Sequence, residues 1–265
     1  MNVIYWFSGT GNSFYAAKKI AERLEDCDLL PISKLAQLPP DCERVGFVFP
    51  HYALGVPNLV REKLEDIDLS GNQSAYFFAV ETCGAFPGSC LGQVNTLLKK
   101  QGAVLSYGTV IRMFANNVVN YDMKGDPAEK AAAAEPAIQA AAVAIQQKQA
   151  IKIPHTQLLY QLPYRAITAT YPKKGLQFHA DENCTGCGMC AKLCPAGNIT
   201  MQNGRPMFGA SCEQCVACIQ WCPRRAIQFG NKTQARTRYH HPAIQAGELF
   251  RAAAPPAKKS LHSPQ

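Results

Sequence analysis

The sequence lacks any long hydrophobic run. No stretch of its 265 residues approaches the twenty consecutive apolar residues that a membrane-spanning helix needs. Residues 1–7 are apolar apart from Asn2, but they carry no basic flank and are soon followed by glycine and asparagine, so we expect neither a signal peptide nor a membrane span. Charged residues make up only 17% of the chain. A protein without a membrane span is therefore expected.

Several catalytic and nucleotide-binding motifs are missing as well. There is no Gly-Lys-Ser/Thr sequence, so a nucleoside triphosphate loop is not supported, and there is no Gly-x-Gly-x-x-Gly dinucleotide fingerprint. No Ser/His/Asp set and no carboxylate pair occurs at a recognisable spacing. His51 is the one candidate proton donor, although a lone histidine in a loop is more often polar surface.

Cysteine, by contrast, is abundant. Eight of the twelve cysteines lie in two runs, and Cys27, Cys42, Cys83 and Cys90 are the others. This distribution disfavours a secreted disulfide framework and fits a reducing cytoplasm better.

The two runs form an internal repeat. The first contains Cys184, Cys187, Cys190 and Cys194, and each has a counterpart 28 residues later in Cys212, Cys215, Cys218 and Cys222. A proline follows the last cysteine of each run. Three cysteines at i, i+3 and i+6 suit a cubane iron-sulfur cluster, whereas structural zinc sites favour paired Cys-x-x-Cys knuckles.

The repeat closely resembles bacterial two-cluster ferredoxins. That resemblance implies two 4Fe-4S clusters, with the fourth cysteine of each run serving the cluster of the other run. The implied first set of ligands is Cys184, Cys187, Cys190 and Cys222. The implied second set is Cys212, Cys215, Cys218 and Cys194.

A polar loop follows the first predicted strand. Residues 3–7 are apolar, and helical spacing begins at Phe14, so the loop lies at a strand-to-helix junction where free N–H groups favour an anion. The loop resembles the phosphate loop of flavodoxins and so implies FMN. Its residues are Ser8, Gly9, Thr10, Gly11, Asn12 and Ser13. The alternative is a helix N-cap and no more, because Ser, Thr and Asn favour such positions anyway.

Five strands alternating with helices predict an α/β fold with a doubly wound, flavodoxin-like, five-stranded parallel sheet. We expect strands near residues 3–7, 28–31, 45–50, 75–80 and 103–111, with helices over 32–38, 58–64, 89–100 and 127–149. Flavodoxins hold the flavin ring with the loops after the third and fourth strands. The resemblance therefore implies ring contacts from Tyr52, Gly55, Thr82, Cys83 and Gly84.

Two of these residues have a simpler interpretation. An aromatic such as Tyr52 at a strand end is about as often packed in the core, and a free cysteine such as Cys83 is usually a small buried hydrophobe. After the fifth strand, Asn116 or Asn117 is a candidate for the cofactor edge or for a turn. Chains that resemble this one often have Met-Pro before that Asn, and Phe114 departs from the pattern.

The chain divides into four predicted regions. Residues 1–150 form the flavodoxin-like domain, and 151–177 form an extended connector. Residues 178–230 form a small α+β ferredoxin domain with a hairpin turn at Asn203-Gly204. Residues 231–265 form a basic tail with too few large apolar residues to predict order. Residues 1–160 hold 14 Lys+Arg against 15 Asp+Glu, whereas 161–265 hold 13 against 4. Basic character thus belongs to the second half.

Three functions remain open from the sequence. The first is an electron-transfer protein that passes electrons between the clusters and FMN. The second is an FMN-dependent reductase of a small substrate fed by the clusters, and the third is a flavin-free docking or assembly module. We expect a redox partner protein with an acidic surface, attracted by Arg224 and Arg225, and no nucleic-acid partner.

Overall fold

The computed structural model describes residues 1–155 and 158–252. Its first domain contains a five-stranded parallel sheet. The strands are β1 (Asn2–Trp6), β2 (Cys27–Pro31), β3 (Arg44–Pro50), β4 (Tyr76–Cys83) and β5 (Leu105–Arg112), and their order in the sheet is β2-β1-β3-β4-β5. This is the flavodoxin-like order of a doubly wound sheet, so the predicted fold is confirmed.

Helices cover both faces of the sheet. They are α1 (Asn12–Leu24), α2 (Asn58–Glu65), α3 (Cys90–Lys100) and α4 (Pro127–Gln146). α1 and α4 pack on one face around Ile4 and Val48, and α2 and α3 pack on the other around Val3 and Phe47. Because both faces are covered, the inner strands β1, β3 and β4 are buried over most of their length and largely apolar, whereas the edge strands β2 and β5 carry exposed residues. The predicted cap of α4 is present: Asp126 accepts a hydrogen bond from the Ala128 N–H at 2.8 Å, and Pro127 opens the helix.

Two sequence expectations in this domain need correction. The helix predicted over 32–38 is only a 3-10 turn at Ile32–Lys34. Leu35 and Leu38 are buried without forming a helix, and the Pro39-Pro40 pair that follows disfavours helical conformation just before it. β4 runs three residues further than predicted and includes Glu81, Thr82 and Cys83, because this end pairs with both β3 and β5.

The connector is helical rather than extended. Its helices are α5 (Leu158–Thr168) and α6 (Tyr171–Lys174), although it does lie over the first domain as expected. Tyr164 is buried and donates a hydrogen bond to the Val56 carbonyl at 2.8 Å. Asn58 at the start of α2 donates to the Thr168 carbonyl at 3.1 Å. The prolines misled the sequence interpretation, because Pro163 lies inside α5 and Pro172 occupies the first turn of α6, where proline is tolerated.

The second domain is built from the cysteine repeat. Its elements are β6 (Phe178–Ala180), α7 (Met189–Lys192), β7 (Ile199–Gln202), β8 (Arg205–Phe208), α8 (Ala217–Gln220) and β9 (Ile227–Phe229). β6 pairs with β9, and β7 pairs with β8, so the outer strands of the two repeats meet. Asn203 and Gly204 both have positive φ, 48° and 74°, as the predicted two-residue hairpin turn requires.

The start of the predicted disordered tail is ordered. Tyr239, His241, Ile244 and Leu249 are buried, and α9 spans Ala246–Ala252. The few large apolar residues here are all used as anchors on the first domain, which composition alone does not reveal. Residues 253–265, including Lys258 and Lys259, lie outside the described residues. In 1–155 and 158–252, no helix is long and apolar enough to cross a membrane.

Candidate functional site

The eight repeat cysteines line two separate cavities. One is lined by all four members of the first set, Cys184, Cys187, Cys190 and Cys222, with Arg224 and Met201 at its wall. The other is lined by all four members of the second set, Cys194, Cys212, Cys215 and Cys218. The fold therefore brings the fourth cysteine of each run to the loop of the other run, the exchange that the ferredoxin resemblance implies.

Backbone N–H groups point at sulfur in equivalent places of the two repeats. Asn198 N–H donates to Cys194 Sγ at 3.2 Å, and Ala226 N–H donates to Cys222 Sγ at 3.3 Å. Gln214 N–H also reaches Cys212 Sγ at 3.3 Å. Such donors stabilise thiolate and shift cluster potentials upward. The residues present thus fit anionic sulfur ligands.

The geometry also bears on what kind of centre fits. Within the described residues, no three His, Cys, Asp or Glu side chains are close enough to share a single metal ion. A cubane cluster does not require that closeness, because each cysteine binds a different iron. Four cysteines spread around one cavity suit such a cluster.

The β1–α1 loop has the backbone of an anion site. α1 begins after Gly11, whose φ of 95° is left-handed, and it has neither a side-chain cap nor an acidic residue in its first turn. The positive end of the helix dipole is therefore uncompensated by side-chain charge. Ser8, Thr10, Asn12 and Ser13 are all buried around it. The donor set fits a phosphate monoester.

Each polar side chain of that loop already has a protein partner. Ser8 Oγ accepts from the Gly11 N–H at 3.0 Å, and Ser13 Oγ lies 2.8 Å from Thr82 Oγ1. Asn116 donates to Thr10 Oγ1 at 2.7 Å. Asn12 donates to the Phe114 carbonyl at 3.1 Å and accepts from Tyr239 OH at 2.6 Å. A phosphate placed here would have to exchange some of these bonds for its own.

The cluster domain packs directly on this loop. A Cβ at Gly9 would collide with the carbonyl oxygen of Cys215, which explains the need for glycine. Trp221 Nε1–H donates to the Gly9 carbonyl at 2.9 Å. His241 N–H donates to the Thr10 carbonyl at 2.8 Å. The sequence did not predict Trp221, Tyr239 or His241, since no local pattern distinguishes a residue that packs against a distant loop.

The predicted ring contacts are brought to the same edge of the sheet but are packed against protein. Tyr52 lies edge-to-face with Phe7 at 5.9 Å and with Tyr171 at 6.4 Å between ring centroids. A Cβ at Gly55 would meet the Tyr164 ring, and one at Gly84 would meet Ala115. Tyr171 and Tyr164 belong to the connector helices, which the sequence interpretation did not place here. Tyr52, Gly55 and Gly84 as flavin contacts stay predictions.

Cys83 and its neighbours form a buried group that includes one unanticipated residue. Glu81 is 1% exposed, and its Oε1 accepts from the Gly88 N–H at 3.1 Å and lies 3.3 Å from His51 Nδ1. Burial, and then the charge of Glu81, raises the pKa of the Cys83 thiol to about 11. Cys90 has its pKa raised for the same two reasons. Both thiols are therefore held protonated, which suits the packing interpretation of Cys83.

Asn116 and Asn117 make different contacts, and a role for either at a cofactor edge stays a prediction. Asn116 donates to Thr10 in the β1–α1 loop, and its own carbonyl accepts from Gln220 of the cluster domain at 2.7 Å. Asn117 is a turn residue whose carbonyl accepts from the Asn120 N–H. Phe114, the departure from the usual pattern, packs against Tyr239 with 4.6 Å between the ring centroids and an angle of 35° between the ring planes. The aromatic ring at this position thus helps to seat the C-terminal segment.

Glu213 joins the second set of cysteines to the first domain. Its carboxylate accepts from the Leu59 N–H at the start of α2, at 3.1 Å. Burial raises the pKa of Glu213 to about 7, and hydrogen bonding from the Leu59 backbone partly opposes that rise. The residue lies between Cys212 and Cys215, so this bond holds the second-set loop against α2.

Comparisons with known proteins support the assignment of the second domain as an iron-sulfur domain. Residues 183–227 match the family model of the 4Fe-4S dicluster domain. The iron-sulfur subunit of a nitrate-inducible formate dehydrogenase from Escherichia coli is 36% identical over 69 residues, which are 23% of this chain and 23% of that subunit. An uncharacterized ferredoxin of Methanocaldococcus jannaschii is 32% identical over 68 residues, 23% of this chain and 43% of the ferredoxin. The chain thus spans less than half the length of these curated relatives.

Two solved flavodoxin structures are similar to part of this chain. The two-electron reduced flavodoxin of Megasphaera elsdenii aligns with 42% of this chain and 85% of its own, at 14% identity and a TM-score of 0.36. A short-chain flavodoxin associated with a bacterial microcompartment aligns with 53% and 97%, at 15% identity and a TM-score of 0.33. The fold assignment rests instead on the strand order described above.

Strand order and family model together define the class of the molecule. The chain joins a flavodoxin-like sheet domain to a 4Fe-4S dicluster domain. Domains of the second kind carry single electrons.

Proposed function

We propose that this protein transfers electrons between two 4Fe-4S clusters and an FMN bound by the first domain. The observation that carries the proposal is the contact between the second set of cysteines and the β1–α1 loop, at Cys215 and Gly9. Clusters exchange one electron at a time and a flavin accepts one or two, so the pair adapts one-electron to two-electron chemistry.

Each cofactor has a defined place in this proposal. The first and second sets of cysteines hold the clusters, with the N–H groups of Asn198, Gln214 and Ala226 stabilising the sulfur charge. The N-terminus of α1 and the hydroxyls of Ser8, Thr10 and Ser13 hold the phosphate of FMN. The residues that border the flavin ring are Tyr52, Gly55, Thr82, Cys83 and Gly84.

Anaerobic purification tests the proposal most directly. We expect a brown protein whose visible spectrum, iron content and flavin content correspond to two clusters and one FMN. Stepwise reduction of this preparation then follows the clusters and the flavin by their spectra. Two zinc ions and no iron would contradict the cluster assignment. FAD in place of FMN would contradict the phosphate-loop assignment.

A matched comparison tests the loop itself. FMN should bind far better than riboflavin, because the loop donors have no role without the phosphate. Thr10→Val with Ser13→Ala should weaken FMN binding by about 1–3 kcal/mol per donor removed. The control is Thr200→Val with Ser74→Ala, two exposed positions away from the loop. Equal losses in both pairs, or equal affinities for FMN and riboflavin, would count against the phosphate site.

A flavin-free docking module is the second candidate, and one observation favours it. Every polar side chain of the loop is already satisfied within the protein, and the cluster domain covers the edge where a flavin would lie. The two candidates differ in flavin content: a preparation with full iron and no affinity for FMN would select the docking module.

The proposed partner is a redox protein with an acidic surface. Arg224 lines the first-set cavity and is exposed, and Arg225 beside it is also exposed. Positive charge at this place attracts an acidic partner and favours the reduced cluster. Because the cysteines are free thiols that must stay reduced to bind iron, we propose the cytoplasm as the compartment.

A further inference from the structure

The first set of cysteines faces outward. Cys187 is exposed, whereas no cysteine of the second set is. The lining of the first-set cavity consists of residues 184–190, 201, 206, 222–224, 226 and 227. Pro223 and Arg224 at its rim are exposed as well. A protein that approaches from solvent reaches this set without moving the first domain.

The second set faces the first domain. Cys215 packs against the apolar clusters on both faces of the sheet, and its carbonyl lies against Gly9. Hydrogen bonds fasten the loop on either side: Glu213 accepts from the Leu59 N–H, and Trp221 donates to the Gly9 carbonyl. Ala217 and Trp221 are buried in the same apolar cluster as Ile4 and Trp6 of β1.

We infer that the two sets have different and fixed roles: an external one-electron donor or acceptor protein exchanges with the first set, and the sheet domain exchanges with the second. This inference rests on the proposed electron-transfer function and adds its direction and order. In the reducing direction, the partner would lose one electron to the cluster held by the first set, which would pass it to the cluster held by the second set. A flavin held at the sheet edge beside the Cys215 loop would accept that electron. The partner is then oxidised by one electron, the flavin is reduced by one, and both clusters return to their starting state.

The order predicts unequal protection of the two clusters, and iron removal measures that protection. The full chain is prepared anaerobically with both clusters, and a water-soluble iron chelator is added while electron paramagnetic resonance follows each reduced cluster. The signal that Cys187→Ser removes is assigned to the first cluster, and the signal that Cys212→Ser removes is assigned to the second. We expect the first cluster to be lost on the order of tenfold faster than the second. This factor corresponds to about 1.4 kcal/mol more free energy for the local opening that exposes the second cluster.

Docking variants show whether the first domain causes the protection. Trp221→Phe keeps an aromatic ring but removes the N–H donated to Gly9, and Tyr239→Phe removes the hydroxyl donated to Asn12. Both should speed the loss of the second cluster several-fold and leave the first unchanged. Met207→Leu, a half-exposed position on β8 away from the sheet domain, is the matched control and should change neither rate.

The outcomes separate the inference from the function on which it rests. Equal loss of the two clusters, or faster loss of the second, would overturn the assigned roles while two intact clusters still support electron transfer. Acceleration of both clusters by Trp221→Phe would also overturn them, because it would mean that the contact stabilises the whole domain. A preparation without iron would overturn both the inference and the proposed function.

Discussion

The two cysteine repeats have the same spacing and nearly the same local structure, yet they have different neighbours. In both, a four-residue helix contains the third cysteine of the run, and an N–H four residues after the last cysteine donates to its sulfur. Cys187 of the first set is exposed, whereas the second-set loop lies on the sheet domain. The difference teaches that cysteine spacing specifies which four sulfur atoms share a cavity. The packing of the cluster domain on the sheet domain specifies which other residues each set of cysteines contacts.

Replacing the fourth cysteine of either run should have the largest effect and should distinguish the two repeats. Cys194→Ser should damage the second-set cluster and Cys222→Ser the first-set cluster, because each residue lines the cavity of the other repeat. Either variant should lose roughly half of the iron. Iron analysis with the spectra of the two reduced clusters measures this result.

Each cysteine variant is the control for the other. Only the Cys194→Ser change should also disturb the surface next to Gly9, since only the second set is docked there. Loss of the same cluster in both variants would contradict the crossed ligand sets.

Gly9→Ala should have the next largest effect. The added Cβ would collide with the Cys215 carbonyl, a backbone atom that cannot turn away, so the cluster domain must shift. Overpacking of this kind costs about 1–3 kcal/mol in the free energy of unfolding. Thermal unfolding provides the measurement. The control is Gly247→Ala in α9, where a Cβ would meet only an ordinary contact with Phe250; equal destabilisation by the two would mean that the contact at Gly9 is not specific.

The pH dependence of stability should test the contacts that cover the β1–α1 loop, next to the second set of cysteines. His241 stacks on Tyr15 at 4.1 Å, and burial lowers its pKa from 6.5 to about 4, with His240 adding to the shift and Glu135 opposing it. The unfolded chain therefore takes up a proton below pH 6.5 that the folded chain refuses until about pH 4. Stability should fall as the pH drops through this window.

His241→Phe is the matched variant for that experiment, since it keeps a ring against Tyr15 and removes the titrating group. Its unfolding temperature should depend less on pH across the same window than that of the unchanged chain. An identical pH dependence in both proteins would show that His241 does not contribute.

The smallest expected effect concerns the outward-facing repeat. Arg224→Ser with Arg225→Ser should slow electron exchange with an acidic ferredoxin by a factor of several at low salt, and the difference should shrink as salt screens the charges. Lys99→Ser with Lys100→Ser removes the same charge from the end of α3 and is the control. A rate unchanged at low ionic strength would remove the docking role of the arginines without affecting the path inside the chain.

Much of the fold was predictable because its signals are local. Five apolar runs, the Asp126-Pro127 start of α4 and the Asn203-Gly204 turn each determine their own conformation. The helix expected over 32–38 was wrong because the proline pair after it outweighed a short apolar pattern. The connector was wrong for the opposite reason: its prolines were weighted as breakers, although Tyr164 anchors a helix that tolerates Pro163.

The candidate site divides along the same line. Cysteine spacing and the Ser8 to Ser13 loop could be interpreted from the sequence, because a cluster or a phosphate demands particular residue types at fixed intervals. The residues that cover the loop, Trp221, Tyr239 and His241, could not. Each contacts a partner more than two hundred residues away, and a single tryptophan, tyrosine or histidine in a basic segment gives no sign of which surface it will meet.

By itself, therefore, the sequence determined the two domains, the strand pattern and the grouping of cysteines, since these depend on periodicity and spacing within short stretches. Only the tertiary structure decided that the second set of cysteines lies against the β1–α1 loop, and that the segment from Tyr239 to Leu249 anchors on the sheet domain instead of remaining a free tail. The physical reason is that docking depends on complementary surfaces built from residues distant in the chain. A glycine that lets a carbonyl approach and a tryptophan that donates to the same residue acquire their meaning only when the two domains meet.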